Sequence, residues 1–264
     1  MNNLEIKITR FKKNIETFNN IIIAFSGGKD SLFLTLMALE VSGKNNVTIV
    51  FVDSEFISEN DKKRVDYFEK KFNLDIKRIS IDVLSNASIK NNSKDRCYIC
   101  KKKIFNSIIN SFGNKKNTTI LDGTTFSDID QFRPGLAALQ ELDIVSPLKD
   151  AKITSDEIIK LLKQKNIDRY YLTSSTCLAT RFPYNHNLSI TEINNFEKIE
   201  LFLVEHDVFP VRVRYIVDGI RIEAEENLTP KILNIKDALI KNAKKGGFKF
   251  ITLDLEGIKS GVWD

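Results

Sequence analysis

Cysteine and histidine are scarce, with three Cys and two His in 264 residues. Three thiols cannot pair into a disulfide framework, so each is open to reading as core filler, metal ligand or reactive group. No apolar run approaches the length needed to cross a bilayer, which excludes an integral helical membrane protein. The opening stretch from Met1 to Lys7 has neither the basic start nor the apolar core of a secretory signal, and a cytoplasmic chain is expected. Repeats and low-complexity tracts are missing, so fibrous and repeat-array architectures are excluded. Neither sign of charge dominates: 40 Lys and Arg against 35 Asp and Glu leave +5, which tolerates an anionic substrate without marking a nucleic-acid binder. The length suffices for one large α/β domain or two modest ones, each with its own core.

Apolar positions Leu4, Ile8, Phe11, Ile15 and Phe18 recur at a helical period, and a strand-like run over 21–25 follows. After Ser26-Gly27-Gly28 a second helical stretch covers 32–39, Gly43 stops it, and a strand over 47–52 completes a βαβ unit. The alternation continues with a helix over 59–72, a strand near 76–79, a helix over 100–112 and a short strand at 119–121. Strands alternating with helices predict a parallel sheet covered on both faces. Beyond Pro183 the pattern changes. A helix over 190–205, alternating runs over 211–217 and 220–224, a helix over 230–245 and a strand over 248–255 predict a small α+β domain. The boundary is placed near residue 185, giving regions 1–184 and 185–264.

Ser26-Gly27-Gly28-Lys29-Asp30-Ser31 sits between a wholly apolar strand and an apolar helix. Two glycines permit a tight turn that exposes successive N–H groups at a helix N-terminus, an arrangement that favours phosphate. Ser26 and Ser31 add hydroxyl donors, Lys29 adds a charge, and Asp30 offers a carboxylate to Mg²⁺. A glycine turn with a polar cap is the plainer alternative. The Gly-x4-Gly-Lys spacing of a Walker A loop is missing. The six residues resemble the pyrophosphate (PP) loop of the ATP pyrophosphatase superfamily. That resemblance implies β- and γ-phosphates held by the loop, an α-phosphate open to attack, and adenylylation of a substrate oxygen with loss of pyrophosphate.

Arg96-Cys97-Tyr98-Ile99-Cys100 precedes Lys101, Lys102 and Lys103, and the third thiol is Cys177. Cys-x2-Cys presents two sulfurs to one metal centre, and the flanking cations would stabilise thiolates. A structural zinc would need a fourth ligand, for which His186 is near Cys177 in sequence and His206 is the only other histidine. An iron–sulfur cubane usually takes four Cys, so three would leave one iron open to an exogenous sulfide. An incidental Cys pair with a buried Cys177 is the alternative. Asp122-Gly123-Thr124-Thr125-Phe126-Ser127-Asp128 and Phe132-Arg133-Pro134-Gly135 follow the carboxyl end of a predicted strand, where open α/β sheets bind ligands. Asp122 and Asp128 would each also serve as turn caps. Arg181, Arg212 and Arg214 could clamp a phosphate, since Arg212 and Arg214 share one face of a strand; a solvated role is the alternative.

Together with Val145-Ser146-Pro147-Leu148, Cys177-Leu178-Ala179-Thr180-Arg181-Phe182-Pro183-Tyr184, Val211-Arg212-Val213-Arg214 and Leu253-Asp254-Leu255-Glu256-Gly257, these motifs resemble the LarE family over nearly the whole chain. Its members are ATP-dependent sulfur transferases of nickel-pincer nucleotide biosynthesis. The resemblance implies a parallel-sheet PP-loop domain followed by an α+β substrate-binding and oligomerisation domain. The implied substrate is pyridinium-3,5-biscarboxylic acid mononucleotide, whose carboxylate is adenylylated and then converted to a thiocarboxylate. ATP contacts are implied at Ala24, Ser26, Gly27, Gly28, Lys29, Asp30, Ser31, Gly123 and Arg133. Substrate-phosphate contacts are implied at Arg181, Arg212 and Arg214, and Asp30 and Glu200 are candidate Mg²⁺ contacts. One-cysteine members give up the sulfur at the position of Cys177 and are left with dehydroalanine. Three-cysteine members are read as holding a cluster, so a [4Fe–4S] group on Cys97, Cys100 and Cys177 is expected here. Sulfide or a protein sulfur donor, self-association into a homo-oligomer, and no nucleic-acid or membrane partner are expected with it. Where the family reads Gly-Thr-Asn with paired aspartates, this chain has Gly123-Thr124-Thr125 and Ser127-Asp128. The rival readings are a PP-loop tRNA thiolase, against which stands the lack of further Cys pairs for a zinc ribbon, and a nucleotide-binding regulator with a structural zinc.

Overall fold

The computed structural model describes residues 3–113, 116–129, 134–167, 169–173 and 176–259. In chain order the elements are α1 (Asn3–Ile15), β1 (Asn20–Ala24), α2 (Lys29–Ser42), β2 (Val47–Asp53), α3 (Glu59–Phe72), β3 (Ile76–Ser80), α4 (Ala87–Lys90) and α5 (Arg96–Phe112). They continue with β4 (Thr118–Leu121), α6 (Gly135–Glu141), α7 (Pro147–Asp150), α8 (Ser155–Lys163) and α9 (Arg169–Leu172). The last are α10 (Ile190–Glu205), β5 (Val211–Ile216), β6 (Gly219–Ala224), α11 (Thr229–Asn234), α12 (Lys236–Lys245) and β7 (Phe250–Leu253). Two compact units result. One comprises Met1–Ser54, Asp61–Val83 and Asp95–Ser175; the other comprises Glu55–Asn60, Leu84–Lys94 and Thr176–Asp264.

The first unit is built on a parallel sheet of order β3-β2-β1-β4. Ile21 and Ile23 of β1 point to one face, while Ile22 and Ala24 point to the other, where they meet Val50, Val52, Phe105, Ile108, Ile120, Leu139 and Ile144. Burial on both faces is why β1 reads as an unbroken apolar run. α2 is enclosed nearly all round, burying Leu32, Phe33, Leu34, Met37 and Ala38 together with the polar Ser31 and Thr35. It packs against α1 and α8. The chain runs outward from β1 through β2 to β3 and returns with β4 on the opposite side of β1. That reversal opens a crevice beyond the carboxyl ends of β1 and β4, the usual ligand position of such sheets.

The second unit carries a three-stranded sheet in which β5 pairs antiparallel and β7 parallel with the central β6. Ile193, Phe196, Ile199 and Leu203 of α10 are buried, as are Val211 and Val213 of β5 and Ile220 and Ile222 of β6. Their spacing of three and four on the helix and two on the strands is the amphipathic pattern that predicts both elements. Both the doubly covered parallel sheet and the small C-terminal sheet follow the sequence expectation. Two elements differ in detail. The expected helix over 230–245 is broken at Ile235, whose backbone (φ −103, ψ 11) leaves the helical region. Ile232 and Leu239, seven apart and both buried, carry the apolar period across the break and hide it in the sequence. α5 begins at Arg96, so the Cys-x2-Cys motif lies in its first turns instead of in a turn before it. Among the described residues, no helix is long and apolar enough to cross a membrane.

Candidate functional site

The Ser26–Ser31 loop leaves β1 at the switch point and turns directly into α2. Gly27 has φ +75, and a Cβ there would stand 2.6 Å from the Val65 side chain, so the turn requires glycine. Gly28 occupies the N-cap of α2 and offers no side chain to cap it, leaving the helix start to the backbone and to whatever it meets. Ser31 braces the turn: its Oγ donates to the Gly28 carbonyl (2.9 Å) and lies 3.1 Å from Ser26 Oγ. Backbone N–H groups on a tight turn at a helix N-terminus, between two hydroxyls and the buried Lys29, form an anion cradle.

Gly123, just past β4, completes this cradle. A Cβ on it would meet Ser31 N at 2.8 Å, so only glycine lets the end of β4 lie against the start of α2. Asp122 is buried and takes hydrogen bonds from Ser146 Oγ (2.6 Å) and Thr124 Oγ1 (2.5 Å), and Asp128 accepts from Thr125 N (2.8 Å) in a capping box. Both aspartates therefore fill the turn-capping role that the sequence allows. Arg133 and its neighbour Phe132 lie outside the described residues. The Asp30 carboxylate is held on both oxygens, Oδ2 by Lys29 Nζ and Oδ1 by Ser155 Oγ, each at 3.1 Å. Burial pushes its carboxyl above the ordinary value of 3.8, Lys29 and Ser155 oppose that rise, and the nearby Asp128 adds to it. A divalent cation would relieve that cost, and the oxygen donor suits Mg²⁺.

Cys97 and Cys100 are three residues apart in α5, which puts them on one helix face. Arg96 is buried and donates to Cys97 Sγ at 3.3 Å. The three lysines that follow each have an oxygen partner: Lys101 lies 3.8 Å from Asp122, Lys102 binds Glu141 (2.9 Å) and Lys103 binds the Asp82 carbonyl (2.5 Å). Arg96 is thus the cation that donates a hydrogen bond to the Cys97 sulfur. Among the described residues, no three His, Cys, Asp or Glu side chains are gathered as a metal site. The donor chemistry still suits an iron–sulfur group in kind, since none of the three thiols is tied up in a disulfide and two of them share a helix face. His186 contacts Glu192 (2.8 Å), and His206 contacts the Phe202 carbonyl (2.8 Å).

In the second unit, Cys177 is exposed at the N-cap of a short 3-10 turn, Leu178–Arg181. Two buried guanidiniums pin that turn. Arg214 Nη1 donates to the Thr180 carbonyl (2.8 Å), Arg181 Nη1 donates to Thr176 Oγ1 (2.6 Å), and Thr180 Oγ1 donates to the Cys177 carbonyl (2.7 Å). Arg181 also forks onto Glu200 of α10, with Nε–Oε1 at 2.5 Å and Nη2–Oε2 at 3.1 Å. Glu200 Oε1 accepts a further bond from Val213 N (2.8 Å), so both of its oxygens are engaged. Arg214 is fully buried, its Nε bound to Glu223 (2.8 Å), while its Nη2 has no hydrogen-bond partner among the described residues. A buried, unpaired guanidinium N–H is costly and marks a place for an acceptor. Arg212, on the same strand face, is only half-buried and donates to the Lys259 carbonyl (3.2 Å). Ser155 and Glu223 escape a reading by motif. The capping box Thr154-x-x-Glu157 is the one signal that marks the helix start on which Ser155 sits.

The parallel sheet, its switch point and the glycine turn define an ATP-using protein of the PP-loop class. Residues 1–112 match the PP-loop domain family. An uncharacterised protein of Methanocaldococcus jannaschii is 36% identical over 257 residues, 96% of this chain and 98% of that protein. The pyridinium-3,5-bisthiocarboxylic acid mononucleotide synthase of Lactiplantibacillus plantarum is 30% identical over 247 residues, 94% of this chain and 90% of the synthase. An uncharacterised protein of Synechocystis is 25% identical over 260 residues, 98% of this chain and 97% of that protein. The chain belongs to the LarE-like family of PP-loop, ATP-using enzymes.

Proposed function

We propose that this protein is an ATP-dependent sulfur transferase that converts a carboxylate of pyridinium-3,5-biscarboxylic acid mononucleotide to a thiocarboxylate, in the assembly of a nickel-pincer nucleotide. The observation that carries the reading is the glycine turn at the β1/β4 switch point, with Gly123 backbone against Ser31. Such a cradle holds the outer phosphates of ATP, with Lys29 balancing their charge and Asp30 meeting Mg²⁺. A substrate carboxylate oxygen then attacks the α-phosphorus, the bond to the bridging oxygen breaks, and pyrophosphate leaves with the electron pair. Positioning and charge neutralisation suffice for that step. Sulfide attacks the resulting acyl carbon, AMP leaves with the electrons of the carbon–oxygen bond, and a thiocarboxylate remains.

Substrate-phosphate recognition falls to Arg181, Arg212 and Arg214, and the unpaired Nη2 of Arg214 supports it. Residues 185–264 are proposed to bind substrate and to mediate self-association. A [4Fe–4S] cluster on Cys97, Cys100 and Cys177 would supply an iron with an open position for sulfide. Arg96 steadies the first of these thiols, and the pinned turn fixes the backbone of the last. The exposure of Cys177 also favours a second reading, in which its own sulfur is given up. One experiment separates the two: anaerobically purified protein is analysed for iron and sulfide, then incubated with Mg-ATP, the mononucleotide and sulfide. Iron and sulfide near cubane stoichiometry with repeated turnover support the cluster. One turnover per chain with dehydroalanine at position 177 supports the sacrificial route. Pyrophosphate release with tRNA and none with the mononucleotide overturns both.

A further inference from the structure

Asp30 has a second neighbour that no loop motif contains. Ser155 is the first residue of α8, 125 positions along the chain, and its hydroxyl donates to Asp30 Oδ1 at 3.1 Å. Lys29 Nζ holds the other oxygen at 3.1 Å. A carboxylate gripped on both oxygens by donors from different elements cannot rotate about its terminal bond without losing one of them. Ser155 is itself fixed from behind, because its backbone N–H donates to Ser127 Oγ at 3.2 Å, in the segment that follows β4. The chain Ser127–Ser155–Asp30 thus ties the β4 side of the crevice to the start of α2.

The helix that carries Ser155 does not depend on its hydroxyl. Thr154 is the N-cap and accepts from Glu157 N (3.3 Å), while Glu157 accepts from Thr154 N (2.9 Å) and from Lys7 (2.7 Å). The bond to Ser127 uses the Ser155 backbone and survives any side-chain change. The hydroxyl proton is committed to Asp30, which when ionised can only accept.

We propose that Ser155 is a positioning residue of the ATP site, orienting the Asp30 carboxylate toward the cation that accompanies the nucleotide. The proposal rests on the reading of Asp30 as the Mg²⁺ residue, and its test separates the two. ATP is titrated calorimetrically into the full-length protein, once with Mg²⁺ and once with EDTA. In Ser155→Ala, Mg-ATP binding should weaken about tenfold, the loss expected for one hydrogen bond to a charged group, with metal-free ATP binding unchanged. Ser155→Thr, which keeps the hydroxyl, should restore it, and the Tm of both variants should stay that of the parent. Mg-ATP binding by Ser155→Ala equal to the parent's overturns the proposal, as does an equal loss with and without Mg²⁺ or a failure of Ser155→Thr to rescue. If the parent chain itself binds ATP no better with Mg²⁺, the proposal falls with the reading beneath it, and the parent titration alone identifies that cause.

Discussion

Lys29 and Asp30 are adjacent in sequence and joined by an ion pair at 3.1 Å. Replacing either with Ala is expected to lower pyrophosphate release by on the order of 100-fold or more, because the leaving phosphates lose either a fixed charge or its cation partner. A coupled phosphate assay on each purified variant checks this. The strand arginines divide differently. Arg212 is half-buried and bound to a backbone carbonyl, so Arg212→Ala should weaken substrate binding by about 1.5–3 kcal/mol and leave Tm unchanged. Arg214 is enclosed with Glu223 at 2.8 Å, and its removal leaves that buried carboxylate to Arg221. Arg214→Ala should therefore lose substrate binding and also about 3 kcal/mol of stability. Substrate titration with thermal denaturation reads both effects; equal stability of the two variants would contradict the assignment.

Between elements, the tightest constraint is the approach of β4 to α2. Gly123→Ala places a methyl 2.8 Å from Ser31 N and 3.0 Å from its Cα, and neither backbone can yield without opening the cradle. A loss of ATP affinity together with about 1–3 kcal/mol of stability is expected, measured by ATP titration and thermal unfolding. A second link joins β3 to α3, where Arg78 donates to Glu69 (2.7 Å) and Asp66 (2.8 Å). The hydrogen bond from Arg78 holds the Glu69 carboxyl below its ordinary value of 4.5. A carboxyl lowered in the folded state stabilises the fold above its unfolded value, and that contribution disappears as pH falls through the folded one. Arg78→Ala should consequently lower Tm at pH 7 and leave it unchanged well below pH 4.5, in thermal scans at the two pH values. Both groups are partly exposed, so solvent screening keeps the effect small.

For the molecule as a whole, the three cysteines make the most discriminating set. If all three are ligands of one cluster, Cys97→Ala, Cys100→Ala and Cys177→Ala should each lose visible charge-transfer absorption and sulfur transfer together while keeping ATP-dependent pyrophosphate release. Absorption spectra and pyrophosphate assays on the same anaerobic samples test this. Thiolation once per chain by the first two variants would show that only Cys177 supplies sulfur.

The amino-acid sequence alone determined the parallel sheet, the small C-terminal sheet and the Ser26–Ser31 turn. Each is encoded locally, by an apolar run buried on both faces, a period of two or of three to four, and glycines required by a tight turn. Local encoding stops there. That Gly123 must be glycine, that Lys101, Lys102 and Lys103 spend their charge on oxygens, and that Arg214 is buried while Arg212 is not depend on side chains far apart in the chain. The same holds for Ser155, whose hydroxyl finds Asp30 only after β4 and α8 are folded beside α2. Periodicity reports which face of an element is covered, whereas hydrogen-bond partners and buried charges are chosen by the tertiary packing that brings those faces together.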